Sequence, residues 1–252
     1  MPSHPAAACV HPPIVFPDSG VRLTAICVDF GAGIRMHGYP MKHQMRDPVT
    51  QTKNLETIVL LIRHGESEAN AGLPTPSPAA IRLTEKGRTQ AHGLAESFDF
   101  QPDLVIVSPY IRTRETAAPL LAKYPGTLVE EWPIQEFTYL DTTRLAGTTE
   151  EERHAEVEDY WNRGDAFTAF GNGAESFAHF IGRVEAMISR LKDLKGGSVI
   201  AVFTHGYVMH AAGLLLREPD APFDAELMHG FRMSWAEDAP AHCEVRRFRF
   251  TH

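Results

Sequence analysis

From about residue 55 onward, short apolar runs alternate with longer stretches whose apolar positions recur every three or four residues. "TIVLLIR" leads into a helical pattern across "LTEKGRTQAHGLAESF", and "DLVIVSP" leads into "YIRTRETAAPLLAKY". A short strand is expected near "TLVEE". Helices are expected over "TEEERHAEVEDYW", opened by Thr149 and Glu152 at capping-box spacing, and over "AESFAHFIGRVEAMISRLKDL". "SVIAVFTHG" then runs into "YVMHAAGLLL", and two late runs, "HGFRMSW" and "CEVRRFRF", read as strands. This alternation predicts an α/β single domain with a mostly parallel central sheet flanked by helices on both faces. There is no internal repeat and no low-complexity tract.

Residues 1–54 have a different character. They hold no glutamate and seven of the 18 prolines, and their five Lys/Arg against three Asp leave them net positive within an acidic chain. "VRLTAICVDF" can form a strand, but its Pro-rich and Gly-rich flanks offer little to pack on it. The expectation is a domain spanning 55–252 preceded by a poorly ordered extension, or by residues added by a start codon assigned too early, with Met36, Met41 or Met45 as the true start.

The 252 residues, 43% hydrophobic, suffice for a substantial core. No apolar run is long enough to span a bilayer, and "MPSHPAAACVHPPIVF" lacks the basic and continuous apolar regions of a secretory signal. Cys9, Cys27 and Cys243 are odd in number and widely spaced, which favours a reducing, cytoplasmic setting over a disulfide framework. A formal net charge of −8 with no basic stripe argues against nucleic acid as a partner. Such a chain binds an anion only where a few cations are gathered.

That gathering is visible. In open α/β sheets ligands sit beyond the C-terminal ends of the strands. Three apolar runs, "IVLLIRHG", "LVIVSPYIRTR" and "VIAVFTHG", end there in cations or imidazoles. If the three strands are adjacent, Arg63, His64, Arg112 and His205 converge at one sheet edge. Guanidinium forks match phosphate oxygens, and the turn before "YVMHAAG" puts His205 at a helix N-terminus, where backbone N–H groups also favour an anion. Arg88, Arg114 and Arg183, at helical positions, read as solvated helix faces.

"RHGESEAN" after one strand, "SPYIRTRETA" after the next, the glutamate of "IQEF", "GAESF" before a long helix and "VFTHG" near the end resemble, in this order, the histidine phosphatase superfamily, also called the phosphoglycerate mutase-like family. The resemblance implies that His64 attacks phosphorus and becomes a phosphohistidine, that Arg63, Arg112 and His205 hold the phosphoryl oxygens, and that Asn70 donates a further hydrogen bond. Glu136 would be the proton donor and later the base for water; Glu131 falls outside the motif. Gly65 would let the backbone approach closely. No metal and no cofactor is implied, and the partner is a small phosphorylated substrate. Ala174 stands where the family usually has glycine, and Glu175 and Ser176 most simply cap the following helix.

Within that family a cofactor-dependent phosphoglycerate mutase is the alternative, but "AGLPTPSPAAIRLTEKGRTQA" has no tryptophan and "FTYLDTTRLAGTTEEER" has no arginine pair for a second phosphate. A protein phosphohistidine phosphatase or phosphoester-binding module is a further alternative. Against it stand His64 and Glu136, both present, and the stretch from Glu136 to Glu175 with Tyr139, Tyr160 and Trp161, long enough to cover a small molecule. His205 and His210, five apart, do not share a helix face as metal ligands would, and no glycine-rich nucleotide loop occurs. The oligomeric state and the identity of the phosphomonoester are not legible.

Overall fold

The computed structural model describes residues 14–15, 22–23, 55–74 and 77–252. In chain order the elements are β1 (Ile14–Val15), β2 (Arg22–Leu23), β3 (Glu56–Arg63), α1 (Glu85–Ser97), β4 (Leu104–Val107), α2 (Ile111–Lys123), β5 (Leu128–Glu131), α3 (Thr142–Leu145), α4 (His154–Arg163), α5 (Phe177–Lys192), β6 (Val199–Thr204), α6 (Gly206–Arg217), α7 (Ala225–Asp238) and β7 (Val245–Thr251), with one 3₁₀ turn at Pro78–Ala80. The sheet order is β1-β2-β7-β3-β6-β4-β5. β3, β6, β4 and β5 are parallel, and β7 runs antiparallel beside β3. Outside β1 and β2, the stretch expected to be an extension lies beyond the described residues; Leu23 of β2 pairs with Phe250.

Strand side chains alternate between faces and so build two cores. Leu60, Ile62, Val105, Val107, Ala201 and Phe203 pack under Leu94 and Ala95 of α1 and Ala117 and Leu120 of α2. Val59, Leu61, Ile106, Ile200 and Val202 pack on the other side under Phe180, Val184 and Met187 of α5 and Val208, Ala212 and Leu215 of α6. Helices therefore cover both faces, as the alternation predicts. β5 closes one edge, and all four of its residues are exposed. Among the described residues no helix is long and apolar enough to cross a membrane.

Local signals account for most boundaries. The Thr84 side chain accepts from Gly87 N to open α1, and Ser176 does the same from His179 N for α5. The Thr149–Glu152 capping box is formed, with Thr149 N donating to Glu152 Oε2 at 2.7 Å, although the α-helical residues begin only at His154.

One element departs from the sequence reading. "HGFRMSW" is helical, lying inside α7 rather than forming a strand. Phe231, Met233 and Trp235 imitate a two-residue period, yet Met233 is 64% exposed while Met228 and Phe231 are buried. Trp235 packs on Tyr207 at 4.4 Å, giving a 228/231/235 stripe of helical period. Asp224 fixes the start by accepting from the amides of Glu226 and Leu227.

Candidate active site

The strands β3, β6 and β4 are neighbours, so the three polar strand ends do meet at one edge. His64 follows the last residue of β3 and is 3% exposed. Its Nδ1 lies 2.7 Å from Gly65 O, a carbonyl that can only accept, so the ring proton sits on Nδ1 and Nε2 keeps its lone pair. Arg112, in the first turn of α2, donates from Nε to that Nε2 at 3.1 Å and from Nη1 to Pro78 O at 2.7 Å. Burial, with Arg112 beside it, holds the His64 imidazole well below its usual range, so the ring is neutral. Burial likewise pulls the Arg112 guanidinium down to about 10.

His205, the N-cap of α6, is fully buried and stands edge-on to His64 with ring centroids 5.2 Å apart. Its Nε2 lies 2.7 Å from Ser108 Oγ, which also accepts from Tyr110 N. His205 Nδ1 has no partner, and it carries the ring hydrogen when the Ser108 hydroxyl donates to Nε2. Arg63 donates from Nη1 to Pro240 O at 2.5 Å, and its buried Nε is also without a partner. Two unpaired nitrogens in one buried cluster are the pattern expected where a ligand completes the hydrogen bonding.

Glu136 lies close to Arg112 and Arg63. Its Oε1 accepts from Phe137 N at 3.0 Å and its Oε2 from Tyr207 N, in the first turn of α6, at 3.4 Å. Burial raises its pKa above the ordinary carboxylate value, with Arg112 opposing the shift. A carboxyl that holds its proton longer than usual, in one cluster with a neutral, buried imidazole, is suited to acid–base work.

Gly65 serves a close approach, but to the protein itself. A Cβ there would lie 2.6 Å from Gly87 O, and one at Gly87 would lie 2.0 Å from Glu66 O. Paired glycines thus let α1 press against the turn that carries His64. Gly65 N is held by Thr116 Oγ1 at 3.1 Å, and Thr116 is itself bonded to Arg112 O.

Other sequence candidates fall elsewhere. Asn70 is exposed and its Oδ1 accepts from Ser67 N and Oγ, with no hydrogen bond joining it to the cluster among the described residues. Glu131 pairs with Arg114 in solvent, and Arg88 pairs with Glu85 there, as helix-face arginines should. Arg183 differs from that reading. Its side chain is 9% exposed and forms a bidentate pair with Glu175, at 2.9 and 2.6 Å. Glu175 is therefore not a helix cap but the counter-ion of Arg183, while Ser176 is the cap. Tyr160 and Trp161 are spent on the core, in an aromatic cluster with Phe137, Phe177 and Phe231. His210 is taken up by Asp238, Ser234 and Phe231 O. Among the described residues no group of three His, Cys, Asp or Glu is placed to hold a metal ion. Sequence reading missed Ser108, Thr116 and the loop after α7, since only the β7–β3 pairing carries that loop to the site.

The family model for the histidine phosphatase superfamily, branch 1, matches residues 59–248. The chain belongs to the histidine phosphatase superfamily. Solved structures of similar fold include an alpha-ribazole-5'-P phosphatase candidate from Escherichia coli, 28% identical over 68% of this chain and 83% of that one, with a TM-score of 0.53. The alpha-ribazole phosphatase from Shigella flexneri is 26% identical over 75% and 89%, with a TM-score of 0.58. A mycobacterial glucosyl-3-phosphoglycerate phosphatase, 23% identical over 77% and 90% with a TM-score of 0.58, shares the fold. No curated protein matches the chain. Of the quoted motifs, "RHG", the Ser108 and Arg112 of "SPYIRTRETA", the glutamate of "IQEF" and the histidine of "VFTHG" form one cluster, while Asn70, Arg114 and "GAESF" lie outside it.

Proposed function

We propose that this histidine phosphatase is a metal-independent phosphomonoesterase that acts on a small phosphorylated metabolite through a phosphohistidine. The observation that carries the reading is the state of His64: a neutral ring with Nδ1 tied to Gly65 O and the Nε2 lone pair held among cationic donors. A phosphoryl group in this pocket would take over the N–H of Arg112 and receive the unpaired Arg63 Nε and His205 Nδ1, freeing the lone pair for attack. Asn70, whose amide nitrogen is not used by its turn, would add a donor.

In the first step Nε2 forms a bond to phosphorus, the bond to the leaving oxygen breaks, and Glu136 gives that oxygen its proton. In the second, Glu136 takes a proton from water as the water oxygen attacks phosphorus, and the N–P bond breaks to release phosphate. Both steps rest on positioning and on cations around the phosphoryl oxygens.

Hydrolysis is favoured over mutase chemistry because the Glu136–Glu175 stretch carries no adjacent arginine pair for a second phosphate. Arg144, Arg163 and Arg232 each face a carboxylate instead, of Glu156, Asp159 and Glu158. The alpha-ribazole phosphatases among the similar structures support a small phosphomonoester as substrate. The test is phosphate release from p-nitrophenyl phosphate with excess EDTA, for the parent and His64→Ala. Activity that survives EDTA and disappears in the variant supports the reading; activity retained by His64→Ala overturns it.

A further inference from the structure

The loop between α7 and β7 enters the sheet in the reverse sense. Because β7 is antiparallel to β3, with Val245 opposite Ile62, residues 240–244 arrive at the C-terminal end of β3, beside the nucleophile. The loop is fastened there at several points. Arg63 N donates to Glu244 O and Cys243 N to Arg63 O, each at 3.1 Å, and Arg63 Nη1 holds Pro240 O. Within the loop, Glu244 N donates to Ala241 O at 3.0 Å and Ala241 N to Glu244 Oε2 at 2.7 Å. Cys243 is held at φ 60°, the one non-glycine residue with positive φ among those described, a conformation that a cysteine adopts only when its surroundings impose it.

This fastening delivers His242. Its ring centroid lies 6.3 Å from that of His64, and its Nε2 is buried without a hydrogen-bond partner. Burial and the neighbouring Arg63 pull the imidazole down to about 4, against a smaller upward pull from Glu66, so the ring is neutral near pH 7 and has one N–H to give. A surface histidine of no function would turn this nitrogen to water; here a strained, fivefold-bonded loop keeps it buried, on a ring that has His64 and Arg63 as neighbours.

We propose that His242 is a further substrate-contacting residue, its Nε2–H donating to a peripheral oxygen of the phosphoryl group on the Arg63 side of the pocket. The inference rests on the phosphatase reading of the site. It adds a neutral donor to the two guanidiniums, His205 and Asn70, so it shapes the oxygen's direction without adding charge.

The test is calorimetric binding of inorganic phosphate to the parent, His242→Ala, His242→Gln and His242→Asn, with the melting temperature of each recorded. Losing one hydrogen bond to an anion should weaken phosphate about tenfold in His242→Ala. The Gln amide nitrogen reaches the place of Nε2 and should restore most of the affinity, whereas Asn, which stops at the place of Nδ1, should bind as Ala does. Parent-like affinity in His242→Ala overturns the inference and leaves the phosphatase reading intact. Equal binding by Gln and Asn overturns it too, and serves if the Ala variant does not fold. Absence of phosphate binding by the parent overturns both.

Discussion

Arg112 donates its Nε–H to the Nε2 lone pair of His64 at 3.1 Å, the lone pair that the proposed mechanism turns on phosphorus. This bond, with the ring proton on Nδ1 at Gly65 O, fixes the orientation of the imidazole. Substrate oxygens that bind Arg112 draw the donor away from Nε2. Lysine at this position keeps the charge but loses the planar fork and the hold on Pro78 O. Arg112→Lys should lower kcat/KM for a phosphomonoester by about 10²–10³, the loss typical of one transition-state donor. A parent-like value in steady-state assays would show that charge alone suffices.

The two titrating groups shift in opposite senses. The proposed mechanism needs His64 neutral, and burial beside Arg112 moves its pKa well down, so the acid limb of kcat/KM should lie below the ordinary imidazole range. It needs Glu136 protonated in the first step, and burial moves its pKa up, so the alkaline limb should lie above the ordinary carboxylate range. The profile should be a bell centred on the acid side of neutrality. Glu136→Gln should cost about 10²–10⁴ on alkyl phosphates, whose leaving oxygen needs a proton. It should cost far less in the first turnover of p-nitrophenyl phosphate, whose leaving group is stable as an anion. Equal losses on both substrates in rapid-quench kinetics would remove Glu136 from the acid role.

Much of this site was legible because its residues are tied to local pattern. Arg63, His64 and His205 sit at the ends of apolar runs, Arg112 in the first turn after one, and only strand adjacency remained to be supplied. That adjacency was supplied by the order β3-β6-β4. What failed locally was a matter of period or partner. Phe231, Met233 and Trp235 alternate like a strand because Met233 happens to be an exposed apolar residue on α7. Arg183 looked solvated because its counter-ion, Glu175, stands eight residues earlier and outside the helix. His242 had no signal at all, since the reversal of β7 is a property of the sheet and not of the residues around it.

The Glu175–Arg183 pair braces the segment that carries Glu136. Glu175 N donates to Thr138 O at 2.8 Å, Arg183 Nη1 donates to Pro133 O at 3.3 Å, and the residues between them include Glu136. Truncating one partner leaves a charge that is largely shut off from water, which costs about 3 kcal/mol in such pairs. Glu175→Ala should therefore lower stability by that order in urea unfolding. At temperatures where it is folded, it should lower kcat on alkyl phosphates while inorganic phosphate binds as in the parent. Weakened phosphate binding would instead mean that the pair supports the Arg112–His205 side of the pocket.

Two glycines on α1 give the sharpest contrast between propensity and packing. Gly93 is exposed, and a Cβ there would meet nothing within 4 Å. Alanine loses less backbone entropy than glycine in a helix, so Gly93→Ala should raise stability by about 0.5–1 kcal/mol. Gly87 lies six residues earlier in the same helix and is buried, where the added Cβ would sit 2.0 Å from Glu66 O. The obstacle is backbone and cannot swing aside, so α1 and the turn after His64 must separate. That cost, about 1–3 kcal/mol for overpacking, exceeds the helical gain and reverses the sign. Because Glu66 follows Gly65 directly, the displacement should also reach the carbonyl that fixes the His64 tautomer. Gly87→Ala should lose both stability in urea unfolding and kcat toward p-nitrophenyl phosphate, while Gly93→Ala keeps parent activity. A Gly87→Ala protein as stable as Gly93→Ala would mean that the contact between α1 and the turn after His64 is looser than 2.0 Å implies.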